Sequence, residues 1–240
     1  MSIAGNDNRN LITINKTITL DFRLSEAFKT LRTNIDFCGD EVKTIAFTSC
    51  VPGEGKSSVS FNLAISMIEA GKRVLFIDAD MRKSVLNGRY QMSKTNGGLA
   101  HYLAGRKPLE ECIFMTNIPR LFLIPTGAVP PNPAELLSVK RFGHALETLR
   151  DQFDYIIIDT PPLGSVIDSA IVAKQCDGVV LVMETRSIGR SFAERVIDQL
   201  NKAECNILGV VLNKVEIGGK YYGKYYGKYY GKYYGSYYGK

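Results

Sequence analysis

Residues 48–58 read TSCVPGEGKSS and join a predicted strand to a predicted helix through a glycine-rich loop. Glycine permits the backbone angles with which successive main-chain N–H groups curl around a phosphate, and the positive end of the following helix adds to the attraction. A lysine in such a loop can reach the terminal phosphates, and the hydroxyl after it can ligate Mg²⁺. The predicted nucleotide-binding residues of the loop are Gly53, Glu54, Gly55, Lys56, Ser57 and Ser58.

The loop is a variant of the strict phosphate-loop pattern, because Cys50 stands where that pattern has glycine. Taken alone, its last letters, GKS, are about as well explained by a glycine-rich turn that arose by chance. The position of the loop between a strand and a helix favours the phosphate site.

Strand and helix signals alternate along the rest of the chain. Strands are predicted at 43–48, 73–78, 121–125, 154–159, 178–184 and 206–212. Helices are predicted at 23–37, 57–70, 133–151, 168–175 and 188–203. The strand segments are nearly continuous apolar runs, which is typical of parallel strands covered on both faces. The predicted fold class is α/β, a doubly wound and mostly parallel sheet flanked by helices, with ligands beyond the carboxyl ends of the strands.

Carboxylates follow two of the predicted strands directly. Asp78 and Asp80 close the segment VLFIDADMR, and Asp159 ends the strand in YIIIDTPP. Helix-capping aspartates are common at such places, but three acids around one phosphate loop favour Mg²⁺ binding and deprotonation of a hydroxyl. Asn213 follows a further strand and is a candidate for hydrogen bonding to adenine, although a turn asparagine is nearly as common there.

Net charge and composition exclude several classes of protein. The formal charge is +6, but residues 220–240 contain five lysines and no acid, which leaves only +1 for residues 1–219. This balance argues against nucleic acid as a partner. No apolar run approaches the roughly 20 residues of a membrane helix, the polar N-terminus lacks a signal core, and the five scattered cysteines indicate reduced thiols in the cytoplasm. Residues 1–20 are expected to lie over the surface.

Residues 218–240 read GGKYYGKYYGKYYGKYYGSYYGK, a four-residue repeat without aliphatic side chains. Glycine at every fourth position opposes helix formation, and this composition cannot form a core. A flexible tail at 218–240 is therefore predicted after a globular domain at 1–217. The tail holds ten of the thirteen tyrosines: Tyr221, Tyr222, Tyr225, Tyr226, Tyr229, Tyr230, Tyr233, Tyr234, Tyr237 and Tyr238.

The motifs together resemble the bacterial tyrosine kinases of capsule and exopolysaccharide clusters, in their soluble Gram-positive form. TSCVPGEGKSS resembles the Walker A loop of that family, LFIDADMR its Walker A′ motif and IIIDTPP its Walker B motif, while TGAVPPNPAELL (126–137) resembles a further signature. The resemblance implies a P-loop NTPase fold like that of the MinD and ParA proteins. It also implies ATP and Mg²⁺ as cofactors and tyrosine hydroxyls as phosphate acceptors.

The same resemblance assigns roles to individual residues. Lys56 would bind phosphate, and Asp78 would be the base for the incoming hydroxyl. The implied magnesium ligands are Ser57, Asp78, Asp80 and Asp159. The implied catalytic residues are Asp78, Lys56, Asp80 and Arg82, the last of which belongs to the A′ motif.

In the family, the tail of one subunit enters the active site of its neighbour in a ring, which implies autophosphorylation of the tail tyrosines in trans. A Glu-x-x-Arg-x-x-Arg motif on an N-terminal helix holds that ring together. Here the motif reads Glu26, Lys29 and Arg32 on the predicted helix 23–37, with lysine in place of the first arginine. The implied assembly is a ring-like homo-oligomer, with an octamer as the candidate.

The resemblance further implies partners and a location. A transmembrane adaptor would activate the kinase and recruit it from the cytoplasm to the inner face of the cell membrane. A protein-tyrosine phosphatase would reverse the modification, and polysaccharide-synthesis enzymes would be further substrates. Phosphorylation would in this way regulate capsule and exopolysaccharide synthesis and export.

Two other functions are compatible with parts of the sequence. A partition or division-site switch ATPase of the same fold would hydrolyse ATP without modifying tyrosine, but its signature lysine falls at Val51, which cannot donate to a phosphate. A non-catalytic protein with an adhesive tyrosine-rich tail would need neither the phosphate loop nor the acids around it. A tyrosine kinase is therefore the function that the sequence favours.

Overall fold

The computed structural model of the chain describes residues 11–16 and 20–215. Strands in this part are β1 (Leu11–Ile12), β2 (Thr44–Ser49), β3 (Val74–Asp78), β4 (Phe114–Thr116), β5 (Leu121–Ile124), β6 (Tyr155–Asp159), β7 (Gly178–Glu184) and β8 (Ile207–Asn213). Helices are α1 (Phe22–Asp36), α2 (Lys56–Glu69), α3 (Leu86–Tyr90), α4 (Leu99–Leu103), α5 (Pro133–Leu137), α6 (Lys140–Arg150), α7 (Asp168–Ala173) and α8 (Arg190–Lys202), with a 3₁₀ turn at Leu109–Glu111.

The strands form one sheet in the order β1-β4-β5-β3-β6-β2-β7-β8. Every neighbouring pair is parallel except β4 and β5. All residues of β2, β3 and β6 are buried, because helices cover both faces of the central strands. The predicted α/β fold with a mostly parallel, doubly wound sheet is confirmed.

Two apolar clusters lie on the two faces of the sheet. On one face, α1, α2 and α3 pack against the strands, and Phe61 of α2 stacks on Tyr90 of α3 with ring centroids 4.1 Å apart. On the other face, helices α4 to α8 cover alternate residues of the same strands, such as Leu75 and Ile156. The two faces together fix the register of the central strands, so their carboxyl ends meet along one edge.

Helix α1 is tied to α2 by an arginine. The guanidinium of Arg32 donates hydrogen bonds to the carbonyl oxygen of Ser66 at 2.6 Å and to its hydroxyl at 3.2 Å. Glu26 and Lys29 are exposed on α1 and pair with each other at 2.7 Å. One terminal nitrogen of Arg32 is thus engaged within the chain, and the role of all three residues in a ring interface stays a prediction.

The described part of the N-terminal segment belongs to the sheet. Strand β1 pairs in parallel with β4, and Ile14 forms an isolated bridge with Met92. Ile12 and Ile14 are 1% and 3% exposed. The expectation that residues 1–20 lie over the surface was therefore wrong for Ile12 and Ile14, because a two-residue strand leaves too short a pattern to be recognised.

The helix predicted at 133–151 consists of two helices, α5 and α6. Val139 between them has an extended backbone, with φ −68° and ψ 143°, and the hydroxyl of Ser138 donates to the carbonyl of Ala134 at 2.8 Å. A serine that bonds back to the preceding turn competes with continued helix formation. Strand β4 and helices α3 and α4 were not predicted, because these elements of three to five residues are too short to show a period.

The predicted tail at 218–240 lies outside the described residues, and so does the predicted domain boundary at 217. Both stay predictions.

Candidate functional site

The phosphate loop, residues 50–55, leaves the carboxyl end of β2 and leads into α2. Gly55 is the N-cap of α2 and has φ +90°, a left-handed conformation that side chains disfavour. A Cβ at this position would also lie 2.2 Å from Nδ2 of Asn213. Glycine at 55 is therefore required by the backbone angle and by the space available.

Consecutive main-chain N–H groups in the loop are available to a ligand. The N–H groups of residues 53–57 have no acceptor among the residues that the structure describes. They lie at the N-terminus of α2, where the helix dipole also attracts an anion. Main-chain N–H groups without an acceptor fit a phosphate ligand, and they are the groups for which the sequence predicts that contact.

The ammonium group of Lys56 brings the three motifs together. Its Nζ atom lies 3.2 Å from Oδ2 of Asp80, 3.4 Å from Oδ2 of Asp159 and 3.2 Å from the hydroxyl of Ser57. These contacts are possible because β6 lies between β2 and β3 in the sheet. Burial lowers the pKa of Lys56, but Asp159 and Asp80 outweigh that effect and raise it, so the lysine stays cationic.

Asp78 is the most deeply enclosed acid of the A′ motif. Its Oδ2 accepts a hydrogen bond from the hydroxyl of Ser84, and its Oδ1 accepts one from the N–H of Asp80 at 3.2 Å. Burial, together with the neighbouring charge of Asp159, raises the pKa of Asp78 to about 8, although Ser84 and Lys56 oppose the shift. Asp78 is therefore close to half-protonated slightly above neutral pH, a range suited to a general base.

The acids do not form a cage for a metal ion. Within 11–16 and 20–215, no group of three or more His, Cys, Asp or Glu side chains is arranged to hold one ion. The prediction that Ser57, Asp78, Asp80 and Asp159 ligate magnesium stays a prediction. Mg²⁺ commonly takes one or two carboxylates together with substrate phosphates and waters, which Ser57, Asp80 and Asp159 beside the phosphate loop still fit.

Arg82, predicted as catalytic, is held by an acid on another element. Its Nε and one terminal nitrogen donate to both carboxylate oxygens of Asp168, at 2.8 and 2.9 Å. The Asp168 side chain is fully buried at the start of α7, whereas that of Arg82 is 41% exposed. This paired contact fixes the A′ segment against α7. Sequence reasoning missed Asp168 because the two residues are 86 positions apart.

Two of the predicted nucleotide ligands contact the protein itself. The hydroxyl of Ser58 accepts a hydrogen bond from the guanidinium of Arg89 on α3. The amide of Asn213 donates to the carbonyl of Glu54 at 2.9 Å. Asn213 thus packs beneath the phosphate loop, and its predicted contact with adenine stays a prediction.

The carboxylate of Glu54 is a feature of the site that sequence reasoning missed. Only the main-chain N–H of this residue was predicted to bind phosphate, yet its side chain is 1% exposed and accepts hydrogen bonds inside the loop. The sequence does contain a signal for this role. A carboxylate beside a phosphate-binding site repels the phosphate, so its presence there indicates that it binds neighbouring groups of the protein.

Comparison with known proteins matches the chain to one family. An AAA domain family, AAA_31, matches residues 42–212. The tyrosine-protein kinase CpsD of Streptococcus agalactiae is 46% identical over 80% of this chain and 84% of its own length. The kinase domain of the Escherichia coli tyrosine kinase ETK superposes with a TM-score of 0.74 and 31% identity, over 82% of this chain and 79% of that one. The chain belongs to the bacterial tyrosine-protein kinase family. Nucleotide binding is implied by this family of kinases, and the individual residues of the nucleotide site stay predictions.

The MinD-like fold is also confirmed. The cell division ATPase MinD of Pyrococcus furiosus superposes with a TM-score of 0.60 and 28% identity, over 71% of each chain. Its sheet is shared with this kinase, although the likeness is weaker than that to ETK. None of the helices in the described ranges is long and apolar enough to cross a lipid bilayer.

Proposed function

We propose that this tyrosine kinase transfers the terminal phosphate of Mg-ATP to the tail tyrosines of a neighbouring subunit. The observation that supports this acceptor is a cavity of about 440 Å³ beside Asp78. Its lining includes apolar side chains, such as Leu86 and Met92, and polar ones, such as His101. Such a cavity can take a phenol ring with its hydroxyl directed toward the base.

Segment 126–137, which resembled a family signature, contributes to the same cavity. Thr126, Gly127 and Ala128 line it, and the imidazole of His101 packs so close to Gly127 that a Cβ there would lie 2.6 Å from Nδ1. The buried Nδ1 atom of His101 has no hydrogen-bond partner among the described residues. The cavity thus offers the carboxylate of Asp78 to an incoming tyrosine, whereas the Nδ1 atom of His101 is covered by Gly127.

The residues around the nucleotide would act by position and charge. The N–H groups of residues 53–57 and the ammonium of Lys56 would hold the phosphates, while Asp78 would accept the proton of the tyrosine hydroxyl. Ser57, Asp80 and Asp159 would hold the magnesium ion, which when bound neutralises charge on phosphate oxygens. In this assignment of roles, Arg82 contacts no phosphate and positions the A′ segment through its ion pair with Asp168.

The wider role proposed for the chain follows from the family resemblance. It comprises a ring-like homo-oligomer, activation by a transmembrane adaptor at the inner face of the cell membrane, reversal by a protein-tyrosine phosphatase, and phosphorylation of polysaccharide-synthesis enzymes. Phosphorylation would thereby regulate capsule and exopolysaccharide synthesis and export.

A mixing experiment tests transfer between subunits. One variant carries Lys56→Met and an intact tail, so it can only accept phosphate; the other has all ten tail tyrosines changed to Phe, so it can only transfer phosphate. Both are incubated with Mg-ATP and a membrane fraction that contains the adaptor, and phosphotyrosine is mapped by mass spectrometry. We expect phosphotyrosine on the Lys56→Met chain when the two variants are mixed, and none when either variant is incubated by itself.

Two outcomes would contradict the proposal. Phosphotyrosine on the wild-type chain in a parallel incubation, but never on the Lys56→Met chain in the mixture, would show transfer within one subunit. Hydrolysis of ATP without any phosphotyrosine would instead favour a switch ATPase of the MinD type, the alternative that the fold leaves open.

A further inference from the structure

The carboxylate of Glu54 connects the phosphate loop to the end of a neighbouring strand. Its Oε2 accepts hydrogen bonds from the N–H groups of Cys50 and Val51, at 2.7 and 2.9 Å. Its Oε1 accepts from the N–H of Glu184, at the end of β7, and from the hydroxyl of Ser187, at 3.2 and 3.0 Å. Both oxygens of a buried carboxylate are therefore satisfied by two different segments of the chain.

The charge of Glu54 does not favour the ligand. A buried negative charge next to a triphosphate repels it, because Coulomb interactions are weakly screened in the protein interior. Because the charge of Glu54 weakens the attraction between the loop and the phosphates, any contribution of Glu54 to binding comes from its hydrogen bonds. Those contacts hold the first two residues of the loop by their N–H groups, so these groups turn inward rather than toward the ligand.

The carbonyl groups of the loop are held from the opposite side. Asn213 donates to the carbonyl of Glu54 at 2.9 Å, and Lys214 donates to the carbonyl of Gly53 at 2.9 Å and to the carboxylate of Glu184 at 2.9 Å. In a trans peptide, a carbonyl and the N–H that follows it point in opposite directions. Holding the carbonyls of residues 53 and 54 against β8 therefore turns the N–H groups of residues 54 and 55 toward the ligand.

We propose that Glu54 is a positioning residue, whose carboxylate fixes the phosphate loop in the conformation that binds the nucleotide. The carboxylate acts through the main-chain N–H groups of the loop and contacts no substrate itself, whereas the N–H of Glu54 is one of the groups proposed to hold the phosphates. The proposal concerns the nucleotide site of this kinase and does not depend on which tyrosines accept the phosphate.

The test compares Glu54→Gln with Glu69→Gln, a control at an exposed glutamate on the last turn of α2. Glutamine in place of Glu54 keeps the shape of the side chain but has one acceptor oxygen, so contacts on one side of the loop are lost. We expect the KM for ATP and the Kd for Mg-ADP, measured by calorimetry, to rise at least about tenfold. The KM for a tyrosine peptide and the kcat at saturating ATP stay within about threefold, because chemistry is unchanged once ATP is bound.

A purely structural role predicts a different pattern. Partial unfolding would lower kcat through the loss of active enzyme and would leave both KM values unchanged, which would overturn the proposal. An ADP affinity within about twofold of wild type, in a folded Glu54→Gln protein, would also overturn it.

A second variant keeps the proposal testable if Glu54→Gln does not fold. Ser187→Ala removes one of the hydrogen bonds to Oε1 and leaves the charge in place. We expect the Kd for Mg-ADP to rise about two- to fivefold in this variant, with the melting temperature unchanged. An unchanged Kd would contradict the proposal. Because calorimetry requires no phosphate transfer, its result is independent of the proposed acceptor.

Discussion

At the scale of single residues, the site depends on carboxylates that are buried with few compensating cations. Asp78 and Asp159 are neighbours on adjacent strands, and burial raises the pKa of both. Lys56 opposes the shift at each acid, but one ammonium group cannot offset three carboxylates. These buried carboxylates therefore carry an electrostatic cost that should be visible in the pH dependence of stability.

The first prediction concerns Asp78→Asn and stability. The pKa of Asp78 rises from 3.8 unfolded to about 8 folded, so its contribution is complete below pH 4 and is lost as the pH rises through about 8. In the absence of nucleotide, the melting temperature of Asp78→Asn should therefore be close to that of the wild type at about pH 4. At about pH 8.5 it should be higher than that of the wild type. We expect a difference on the order of a few kcal/mol at the higher pH.

Thermal unfolding followed by circular dichroism measures this difference. Asp198→Asn is the matched control, since Asp198 is exposed on α8 and should show no pH-dependent gain. Equal melting temperatures of Asp78→Asn and wild type at the higher pH would contradict the assignment of a raised pKa to Asp78.

A second prediction concerns Ser84→Ala and activity. The Ser84 hydroxyl donates to the Asp78 carboxylate and lowers its pKa, so its removal should raise that pKa further. If Asp78 is the base, the acidic limb of the plot of kcat against pH should move to higher pH. We expect roughly two- to tenfold lower activity at about pH 7 and little change at about pH 9.

The control for this measurement is Ser138→Ala, which removes an exposed hydroxyl that donates to the carbonyl of Ala134 in α5. A uniform loss of activity for Ser84→Ala at every pH would show that Ser84 supports the structure and not the charge state of Asp78.

At the scale of elements, short contacts between helices and strand ends fix the parts of the site. Arg82 and Asp168 fasten the segment after β3 to α7, and Lys214 fastens the end of β8 to the phosphate loop. Arg32 fastens α1 to α2, the helix that begins at the phosphate loop. Each contact joins elements that are distant in sequence.

A third prediction separates the two basic residues of α1. Arg32→Ala should lower the free energy of unfolding by roughly 1.5–3 kcal/mol, because it removes charge-assisted hydrogen bonds to α2. Lys29→Ala should change it by less than about 0.5 kcal/mol, because its pair with Glu26 is half-exposed to solvent. Urea denaturation measures both values.

The same variants test the predicted ring interface. Lys29→Ala should reduce the mass of the oligomer in solution without a loss of stability, if Glu26 and Lys29 contact a neighbouring subunit. An oligomer that is unchanged in Lys29→Ala and lost only in Arg32→Ala would indicate that the motif acts through the fold of α1.

At the scale of the whole molecule, the order of the strands produces the site. The parallel sheet places β3, β6 and β2 side by side, so the A′ acids, the Walker B acid and the phosphate loop share one edge. The last strand, β8, ends next to the phosphate loop, and the tyrosine-rich sequence follows it. We therefore expect the charge of the tyrosine-rich sequence to affect contacts between subunits.

A fourth prediction concerns that charge. Ten phosphotyrosines would add roughly −15 to −20 charges, which exceeds the +5 of the tail lysines. We expect the phosphorylated tails to repel one another and the acidic sites, so the oligomer should dissociate after incubation with Mg-ATP. Native mass spectrometry measures the assembly, and the variant with all tail tyrosines changed to Phe is the control. An intact oligomer after full phosphorylation would refute the prediction.

The local pattern was sufficient to predict the central sheet and the residues at its edge. Each predicted strand lies within one or two residues of an observed one, because continuous apolar runs report burial on both faces. Asp78, Asp80, Asp159 and Lys56 do converge, since the carboxyl ends of parallel strands share an edge. β1 and β4 were missed, because strands of two or three residues leave no measurable period.

The amino-acid sequence alone was enough to establish the fold class, the phosphate loop and the acids around it, because those depend on burial patterns and residue types that are local in the chain. The pairing of the polar groups depends instead on tertiary packing: Glu54 with Ser187, Arg82 with Asp168, and Arg32 with Ser66. These partners are 34 to 133 residues apart. Such pairings follow from how the packed helices and strands bring side chains into contact, and no periodicity along the chain records that arrangement.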